Sequence, residues 1–336
     1  MSLIQVENVT KEFRIYKREK GFVNTVKSLF KRQYEVRKAV DNISFNIERG
    51  DLVGYVGPNG AGKSTTIKML TGILLPTSGS IMVNGAFPYA DRKENAMHIG
   101  VVFGQRSQLY WDLPVEDTFE LYRKMYKIGD SQFKRNVEFY VELLGLQEFL
   151  QKPVRQLSLG QKMRANITVA LLHDPEIVYL DEPTIGLDVV AKSRIRHFIK
   201  EINREKKTTV ILTTHDMDDI EQTCNRLIMI DKGTKIYDGT LTGFKESHNR
   251  RFMIQVEFAG DNIYVTDERF DIAGEEGPSK KFICDKEAIS IGEAVTFLTR
   301  NYDINDIRIK EPEIEEIVRN VYEKADVAML ARDAIV

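Results

Sequence analysis

The stretch GYVGPNGAGKST, residues 54–65, combines several glycines with one lysine and two adjacent hydroxyls. The spacing of Gly57, Gly62, Lys63 and Ser64 fits the phosphate-binding pattern G-x-x-x-x-G-K-[ST]. Glycines let backbone N–H groups turn toward an anion and approach it closely. The lysine ammonium can contact the outer phosphates, and the serine hydroxyl can bind Mg²⁺. The stretch therefore predicts a site for the phosphates of a nucleotide.

The flanking residues supply the strand and the helix that such a loop requires. DLVGYV (51–56) predicts a buried strand, and STTIKMLTGIL (64–74) has helical spacing through Ile67, Leu70 and Leu74. A helix that begins here directs the positive end of its dipole at the same anion. A chance glycine turn is the alternative, but it leaves the order of strand, loop and helix unexplained.

Two carboxylates follow another apolar run, in IVYLDEP (177–183). Asp181 stands where a phosphate-binding loop fold needs one acid beside Mg²⁺. The side chain of Glu182 leaves the strand end in a different direction, where a base or water-orienting group in line with the γ-phosphate is needed. An acid pair in a solvated surface loop is the alternative interpretation.

Two further polar residues end predicted strands. His215 follows the strand of TVILTTHD, at a strand terminus where open α/β sheets gather their ligands. It can hydrogen-bond a γ-phosphate or the attacking water. Gln105 ends the strand of VVFGQRS, and its amide can reach Mg²⁺ or water. Each signal is weak alone, since most single histidines are structural or exposed.

Along the chain, five apolar runs predict strands that are buried on both faces of a sheet. They are residues 52–56, 99–103, 177–180, 209–214 and 226–230. Helical patterns lie between them, which favours a mostly parallel sheet with crossover helices. Strand-like pieces precede this core, in LIQVENV and KAVDNISFNIERG. Residues from about 112 to 173 are mainly helical and predict an inserted lobe.

The composition is that of an ordinary globular protein. The 336 residues carry 48 Lys and Arg against 50 Asp and Glu, a formal charge of −2 that gives no global basic field for nucleic acid. Two cysteines are too few for a disulfide framework and suit a reducing cytoplasm. No apolar run approaches the ~18–20 residues that cross a bilayer. The sequence therefore predicts no membrane span.

A change in composition near residue 241 predicts a second domain. Residues 241–336 hold 20 acidic and 13 basic residues. Four segments predict strands: RFMIQVEF (251–258), NIYVT, KFIC and DINDIRI. Two segments predict helices, 288–301 and 312–325. The second helix carries a stripe of Ile314, Ile317, Val318, Val321 and Tyr322. We therefore expect a small α+β domain over 241–336, for dimerisation or regulation, after a nucleotide-binding domain over 1–240.

A basic insert interrupts the first strands. Residues 16–38 contain eight basic and two acidic residues, and Phe22, Val26, Leu29 and Phe30 would share one face of a helix. Basic amphipathic helices often lie near lipid headgroups. A solvated surface extension explains the same pattern, and the sequence does not choose between the two.

One longer stretch carries a resemblance to a known family. QLSLGQKMRANITVALLHDPEIVYLDEPTIGLD (156–188) places LSLGQ, a helix, two acids after a strand and GLD in the order seen in ATP-binding cassette (ABC) ATPases. The chain resembles this family from about residue 3 to 240. The resemblance implies an α/β P-loop fold with N-terminal antiparallel strands, a mostly parallel core and a helical lobe. It also implies ATP and Mg²⁺ as ligands.

The resemblance assigns roles residue by residue. Catalysis falls to Glu182, His215 and Gln105, and Mg²⁺ to Ser64, Gln105 and Asp181. The residues expected to contact the nucleotide are Phe13, Gly57, Pro58, Asn59, Gly60, Ala61, Gly62, Lys63, Ser64, Thr65, Ser158, Gly160, Gln161 and Asp188. Phe13 is the match to the aromatic that stacks on adenine, with Tyr16 as second choice. The usual signature of the family is L-S-G-G-Q, and this chain has Leu159 in the middle of it. The departure bears on the rate of hydrolysis and the affinity for ATP, and not on the family assignment.

Further details resemble the ATPase subunits of drug, polysaccharide and viologen exporters. The resemblance implies two cassettes facing head to tail, most simply two copies of this chain, on an integral-membrane permease. The protein would then be cytoplasmic and peripheral on the inner face of the cell membrane, reaching that surface through the permease. In SQLYWDLPVEDTF (107–119), Trp111 is expected either to contact the permease or to pack within the lobe.

Three other classes compete with this interpretation. A soluble cassette ATPase acting on a non-transport partner is the first, although such proteins resemble paired cassettes or carry long coiled coils. A P-loop kinase or GTPase is the second, and the chain lacks the guanine-reading N-K-x-D motif. A nucleotide-gated regulator without catalysis is the third. The presence of both Glu182 and His215 favours hydrolysis.

Overall fold

The computed structural model describes residues 2–16, 34–104, 106–248, 251–260 and 263–333, with backbone alone for Tyr16 and 324–333. The chain divides into two compact units, Met1–Thr240 and Leu241–Val336. Of the basic insert, residues 17–33 lie outside the described residues, and so does the expected helix through Phe22 and Phe30. Among the described helices, none combines the length and apolar composition that a membrane span requires.

The first unit contains nine described strands and seven described α-helices. The strands are β1 (Ile4–Tyr16), β2 (Tyr34–Ile47), β3 (Leu52–Val56), β4 (Ser78–Val83), β5 (Ile99–Phe103), β6 (Ile177–Asp181), β7 (Thr209–Thr213), β8 (Arg226–Asp231) and β9 (Thr234–Thr240). The helices are α1 (Lys63–Leu70), α2 (Arg92–His98), α3 (Val115–Met125), α4 (Asp130–Leu144), α5 (Leu159–Leu171), α6 (Val189–Lys206) and α7 (Met217–Thr223).

A six-stranded sheet forms the centre of this unit, in the order β5-β6-β7-β3-β8-β9. Its first five strands are parallel, and β9 adds an antiparallel edge. The residues of β3 and β7 are all buried. Strands covered on both faces read as continuous apolar runs, which is why the sequence predicts these strands to within about one residue.

A second sheet of three antiparallel strands, β2-β1-β4, packs on the first. Its inward residues, such as Ile4 and Ile43, share one apolar core with Tyr55 and Tyr179 of the central sheet and Ile67 of α1. The flanks of the basic insert belong to this sheet, because Tyr16 ends β1 and Tyr34 begins β2, with the two residues paired in register. This core therefore holds α1 in place at the end of the loop that follows β3.

The segment predicted as a helical lobe contains α3, α4, a 3-10 turn at Val154–Gln156, and α5. Local signals set its boundaries. Gly145 ends α4 in the left-handed conformation, at φ 61°, as expected of a glycine after a helix. Ser158 caps α5 and completes a capping box with Gln161, so the helix begins at residue 159.

The second unit is α+β, as predicted. Its strands are β10 (Arg251–Phe258), β11 (Asp271–Glu276), β12 (Ser279–Asp285) and β13 (Ile304–Lys310), and its helices are α8 (Leu241–His248), α9 (Ile291–Asn301) and α10 (Ile314–Asp333). The strands form an antiparallel sheet in the order β11-β12-β10-β13. Phe252, Ile254, Phe282 and Leu298 form its apolar core.

Two details of this unit differ from the sequence prediction. The strand expected at NIYVT is wrong, since residues 263–266 form no strand. Val265 is buried there and Tyr264 is exposed, so an irregular segment reproduces the alternation of a strand. The strand β11 was not predicted, because DIAGEE is mostly exposed and polar. It is held by pairing with β12 and offers no apolar period to detect.

A charged cluster joins the helical lobe to the central sheet. Lys206, the last residue of α6, donates hydrogen bonds to Tyr140 Oη (3.0 Å), Asn136 Oδ1 (3.2 Å) and the Asp174 carboxylate. Asn136 also donates to Asp174 Oδ2 (2.8 Å) and to the carbonyl of Leu172 (2.9 Å). Burial raises the pKa of Asp174, but the hydrogen bonds from Lys206 and Asn136 outweigh it and lower that pKa below its ordinary value.

Lys206→Met should destabilise the first unit by about 1–2 kcal/mol, because it leaves Asp174 and Tyr140 without their shared donor. The measurement is guanidinium unfolding followed by the emission of Trp111, the only tryptophan. Asp174 has a lowered folded-state pKa, so its contribution exists above the unfolded pKa of about 3.9 and is lost as pH falls through the folded value. The difference from the parent should therefore shrink below about pH 4.

Lys200→Met is the matched control, since Lys200 is exposed on the same helix. It should shift the unfolding midpoint by much less than Lys206→Met. Equal shifts for the two variants, or a difference independent of pH, would show that the cluster does not stabilise the junction.

Candidate active site

The parallel strands of the central sheet bring four loops to one edge. The phosphate-binding loop follows β3, Gly104 follows β5, Asp181 ends β6 and His215 follows β7. Parallel strands point their carboxyl ends the same way, and ligands of open α/β sheets bind at that edge. Segments that are far apart in the sequence are therefore adjacent here for a topological reason.

The loop of residues 57–62 needs glycine at two positions. A Cβ on Gly57 would lie 2.5 Å from the carbonyl oxygen of Ile230. Gly62 has a φ of 110°, and a Cβ there would lie 2.4 Å from the carbonyl oxygen of Ala39. The loop is thus pressed against β2 and β8 on one side, with its other side open to a ligand.

Lys63 occupies the interior of this loop. Its buried ammonium donates to the carbonyl oxygens of Gly57 (2.6 Å) and Pro58 (3.2 Å). Burial lowers the pKa of Lys63, and the charges of Glu182 and Asp181 act in the opposite direction. The ammonium is thus held by neutral carbonyls at the point where the pattern places phosphate oxygens.

The start of α1 fits an anion. Among the described residues, no carbonyl or side chain accepts a hydrogen bond from the amides of Lys63, Ser64 or Thr65. The amides of a helix's first turn have no partner within the helix and need an external acceptor. With the lysine ammonium beside them, these donors suit the phosphates of a nucleotide.

Ser64, Asp181 and Glu182 line one cleft of about 320 Å³, a volume typical of a small-molecule site. A hydroxyl and a carboxylate are ligands that Mg²⁺ accepts alongside phosphate oxygens and water. In the described part of the chain, no three His, Cys, Asp or Glu side chains cluster as a metal site. Phosphate oxygens and water would supply further ligands to a cation bound here.

His215 lies beside the second acid. Its Nδ1 is 3.6 Å from Glu182 Oε1, and its side chain is 57% exposed. The next residues fix the backbone, because Asp216 caps α7 by accepting from the amide of Asp218 (3.1 Å) and binds Lys192. The backbone beside His215 is thus fixed, and its imidazole is exposed next to Glu182, which lines the cleft.

Phe13 lies on β1, exposed, with the ammonium of Lys11 5.4 Å from its ring centroid. It pairs with Arg37 of β2. Two residues further along β2, the carbonyl of Ala39 faces Gly62 of the phosphate-binding loop. Phe13 thus lies exposed on the same pair of strands that contacts the phosphate-binding loop. The backbone of Tyr16, the second choice, is three residues further along the strand.

The signature residues lie around the starts of α5 and α6, outside the cleft lined by Ser64 and Asp181. Ser158 Oγ accepts from the amide of Gln161 (3.2 Å), and Gln161 Oε1 accepts from the amide of Ser158 (2.9 Å). A Cβ on Gly160 would lie 3.2 Å from Ala191, and Asp188 caps α6 by accepting from the amide of Ala191 (2.8 Å). Ser158, Gly160, Gln161 and Asp188 therefore share one neighbourhood, and none of them lines the cleft of Ser64 and Asp181.

The second cleft is lined by Leu159, Lys162 and Gly186, among others. Leu159 is 54% exposed and lies against Gly186. The side chain that departs from the usual signature therefore faces outward at the start of α5. It leaves the backbone amides of that helix turn in place.

Gln105 lies outside the described residues, although its neighbours Gly104 and Arg106 both line the nucleotide cleft. Sequence reasoning missed Arg106, which lines both clefts and follows Gln105 directly. It also missed Thr213, whose hydroxyl contacts Asp181. Both residues stand beside motif residues, and that proximity was the available signal.

Comparison with known proteins identifies relatives of this chain. The family model described as ABC transporter matches residues 40–185. The ABC transporter ATP-binding protein NatA of Bacillus subtilis is 34% identical over 218 residues, covering 65% of this chain and 88% of NatA. The bacitracin transport ATP-binding protein BcrA of Bacillus licheniformis is 32% identical over 241 residues, covering 72% of this chain and 78% of BcrA.

Solved structures agree in fold. The ATP-binding cassette MJ0796, a dimer in a post-hydrolysis state bound to ADP and Pi, is 26% identical, with a TM-score of 0.59 over 71% of this chain and 98% of that chain. The cbiO1 protein from Clostridium perfringens, part of the ABC transporter complex cbiONQ, is 27% identical, with a TM-score of 0.59 over 73% and 90%.

The phosphate-binding loop, the acids at the end of β6 and the signature at the start of α5 thus occur together in a chain whose relatives are transporter ATPases. The P-loop fold, the binding of ATP and its hydrolysis follow from that relationship. This chain belongs to the family of ABC transporter ATP-binding proteins.

Proposed function

We propose that this chain hydrolyses Mg²⁺-ATP to drive export of a substrate through a separate integral-membrane permease. The observation that carries the proposal is the cleft lined by Ser64, Asp181 and Glu182. The charges of both acids act on the buried Lys63 ammonium, and His215 lies 3.6 Å from Glu182. Each group required for phosphoryl transfer to water has a candidate there.

Binding would replace the contacts of Lys63. Its ammonium now rests on two carbonyl oxygens, and phosphate oxygens offer a charged acceptor in their place. The amides of residues 63–65 would bind the same phosphates, and Phe13 would stack on the base. Ser64, Asp181 and Gln105 would hold Mg²⁺, which neutralises charge on the phosphate oxygens when bound.

Glu182 would act as the general base. Its carboxylate lies at the end of β6, where it can accept the proton of a water in line with the γ-phosphate. His215 would orient that water or bind the γ-phosphate, since its exposed ring is within reach of both the cleft and Glu182. Gln105 would contribute its side-chain amide to Mg²⁺ or to the water.

A second copy of the chain would complete the site. Ser158, Gly160 and Gln161 do not line the cleft of Ser64 and Asp181. In the proposed dimer they would contact the nucleotide held by the partner copy. Beside them the chain exposes apolar side chains, Leu159 at 54%, Val189 at 81% and Val190 at 70%. Closing on ATP and opening after hydrolysis would then deliver energy as differential affinity between two states.

Export follows from the relatives rather than from the cleft. The relatives include proteins named for bacitracin transport, linearmycin resistance and Nod factor export. An exporter of this type would have the chain on the cytoplasmic face of the cell membrane, held there by the permease. The exposed group of Tyr110, Trp111 and Leu113, following Gln105, is the proposed permease contact.

The alternative of a soluble ABC-type ATPase with a non-transport partner has no observation in its favour. The formal charge of −2 also gives no reason to propose nucleic acid as the partner. For residues 241–336 we propose an accessory role in dimerisation or regulation, because the described residues there present no group of catalytic side chains.

Glu182→Gln should retain ATP binding and slow phosphate release by about 10²–10⁴-fold, the usual contribution of a positioned base. Gln keeps the shape of the side chain and removes its basicity. Glu142→Gln, an exposed carboxylate on α4, is the control and should leave the rate unchanged. Parent-like turnover in Glu182→Gln would remove Glu182 from the role of base.

Phe13→Ala should weaken the binding of adenine nucleotides by about 5- to 100-fold, since base stacking on an aromatic ring contributes about 1–3 kcal/mol. Isothermal titration calorimetry with ATP measures the effect. Ile15→Ala, two residues along β1 and similarly exposed, should bind like the parent. A loss confined to Tyr16→Ala would instead assign stacking to Tyr16.

Trp111→Ala should retain ATP affinity and lose the stimulation of hydrolysis by the membrane subunit, because its ring is 60% exposed and held by Lys162 at 4.6 Å. The comparison is between purified chain and chain reconstituted with the permease identified by co-purification. Met125→Ala, an exposed apolar side chain of the same lobe, should retain stimulation. Trp111 emission that responds to neither nucleotide nor permease would contradict this contact.

A further inference from the structure

The buried side chain of Thr213 contacts both acids of the cleft. Parallel pairing of β6 and β7 places Thr213 directly beside Asp181. Its Oγ1 donates to Asp181 Oδ1 (2.5 Å) and accepts from the amide of Glu182 (3.2 Å). The carbonyl oxygen of Thr213 accepts from the same amide (2.9 Å). The Thr213 hydroxyl thus contacts both the side chain of Asp181 and the backbone of the next residue, Glu182.

The backbone of Glu182 needs such support. Its φ is 54°, in the left-handed region that residues with a Cβ seldom adopt. Conformations of this kind persist only where the surroundings determine them, and they concentrate at functional sites. The contact with Thr213 provides this constraint on the side of β7.

Gly104 provides the constraint on the opposite side. Its amide donates to the carbonyl oxygen of Asp181 (2.8 Å). A Cβ at Gly104 would lie 2.7 Å and 2.8 Å from the carbonyl oxygens of Asp181 and Glu182. The two acids are therefore held between the ends of β5 and β7, and only the Thr213 contact involves a hydroxyl.

We propose that the hydroxyl of Thr213 is a positioning group that sets the orientation of the Asp181 carboxylate and the direction in which Glu182 leaves the strand. Donation to Oδ1 fixes the carboxylate plane, and among the described residues Oδ2 accepts no hydrogen bond. Oδ2 therefore remains for the cation. The proposal rests on the roles of Asp181 and Glu182 given above.

The other interpretation is that Thr213 is an ordinary satisfied threonine of a buried strand. The same strand supplies the comparison. Thr209 is equally buried at the opposite end of β7, and its Oγ1 accepts from the amide of Gly50 (2.8 Å). It has the same residue type, strand and degree of burial, but lies at the edge away from the acids.

The test compares Thr213→Val, Thr213→Ser and Thr209→Val in the full-length chain. Valine keeps the β-branched shape and removes the hydroxyl, whereas serine keeps the hydroxyl. Steady-state ATPase rates are measured over a range of ATP and of free Mg²⁺. Guanidinium unfolding followed by Trp111 emission reports stability in parallel.

Thr213→Val should lower kcat by about 10- to 100-fold, the factor expected for one hydrogen bond to a charged group. It should also raise the Mg²⁺ concentration needed for half-maximal rate, with little change in metal-free nucleotide affinity. Thr213→Ser should stay within about threefold of the parent, as the hydroxyl is preserved. Thr209→Val should hydrolyse like the parent, although it loses a comparable buried hydrogen bond.

Two results would overturn the proposal: parent-like kcat and Mg²⁺ dependence in Thr213→Val, or equal losses of rate in Thr213→Val and Thr209→Val. If Thr213→Val does not fold, Thr213→Ala takes its place with the same expectations. Absence of hydrolysis by the parent would instead refute the proposed function, so the two failures are distinguishable.

Discussion

A buried ammonium is the constraint on which the nucleotide site depends. Lys63 lies inside a loop closed on one side by β2 and β8, and its charge is compensated by two carbonyl oxygens of that loop. Removing an ammonium from water is costly unless strong acceptors replace it. The shape of the loop therefore depends on its glycines and on the two neighbouring strands. The apolar core that α1 shares with these strands holds them in place.

Edge geometry then determines which side chains act together. The groups gathered at this edge come from the carboxyl ends of β3, β5, β6 and β7, and the signature begins a helix of the lobe. Because Ser158 and Gln161 satisfy each other's amides within their own capping box, the signature is a preformed surface. In the proposed dimer, it would therefore need no rearrangement before contacting the nucleotide held by the partner copy.

Sequence reasoning recovered the fold class and the central strands because buried parallel strands are apolar along their whole length. It placed Lys63, Asp181 and His215 by motif, and the structure brings their segments to one edge. It did not find Thr213 or Arg106, whose importance depends on strand register and on which loops adjoin, and neither is encoded locally. It mistook residues 263–266 for a strand, since alternating burial also occurs in irregular segments.

At Glu182 the backbone conformation and the proposed function of the side chain favour different residues, because the φ of this residue is in the left-handed region. A glycine would relieve the conformational cost, yet it would carry no carboxylate. Any residue that retains a side chain must accept the unfavourable φ. With Glu182 as the proposed base, stability and turnover therefore favour different residues at this position, and a glycine here would relieve the backbone at the expense of turnover.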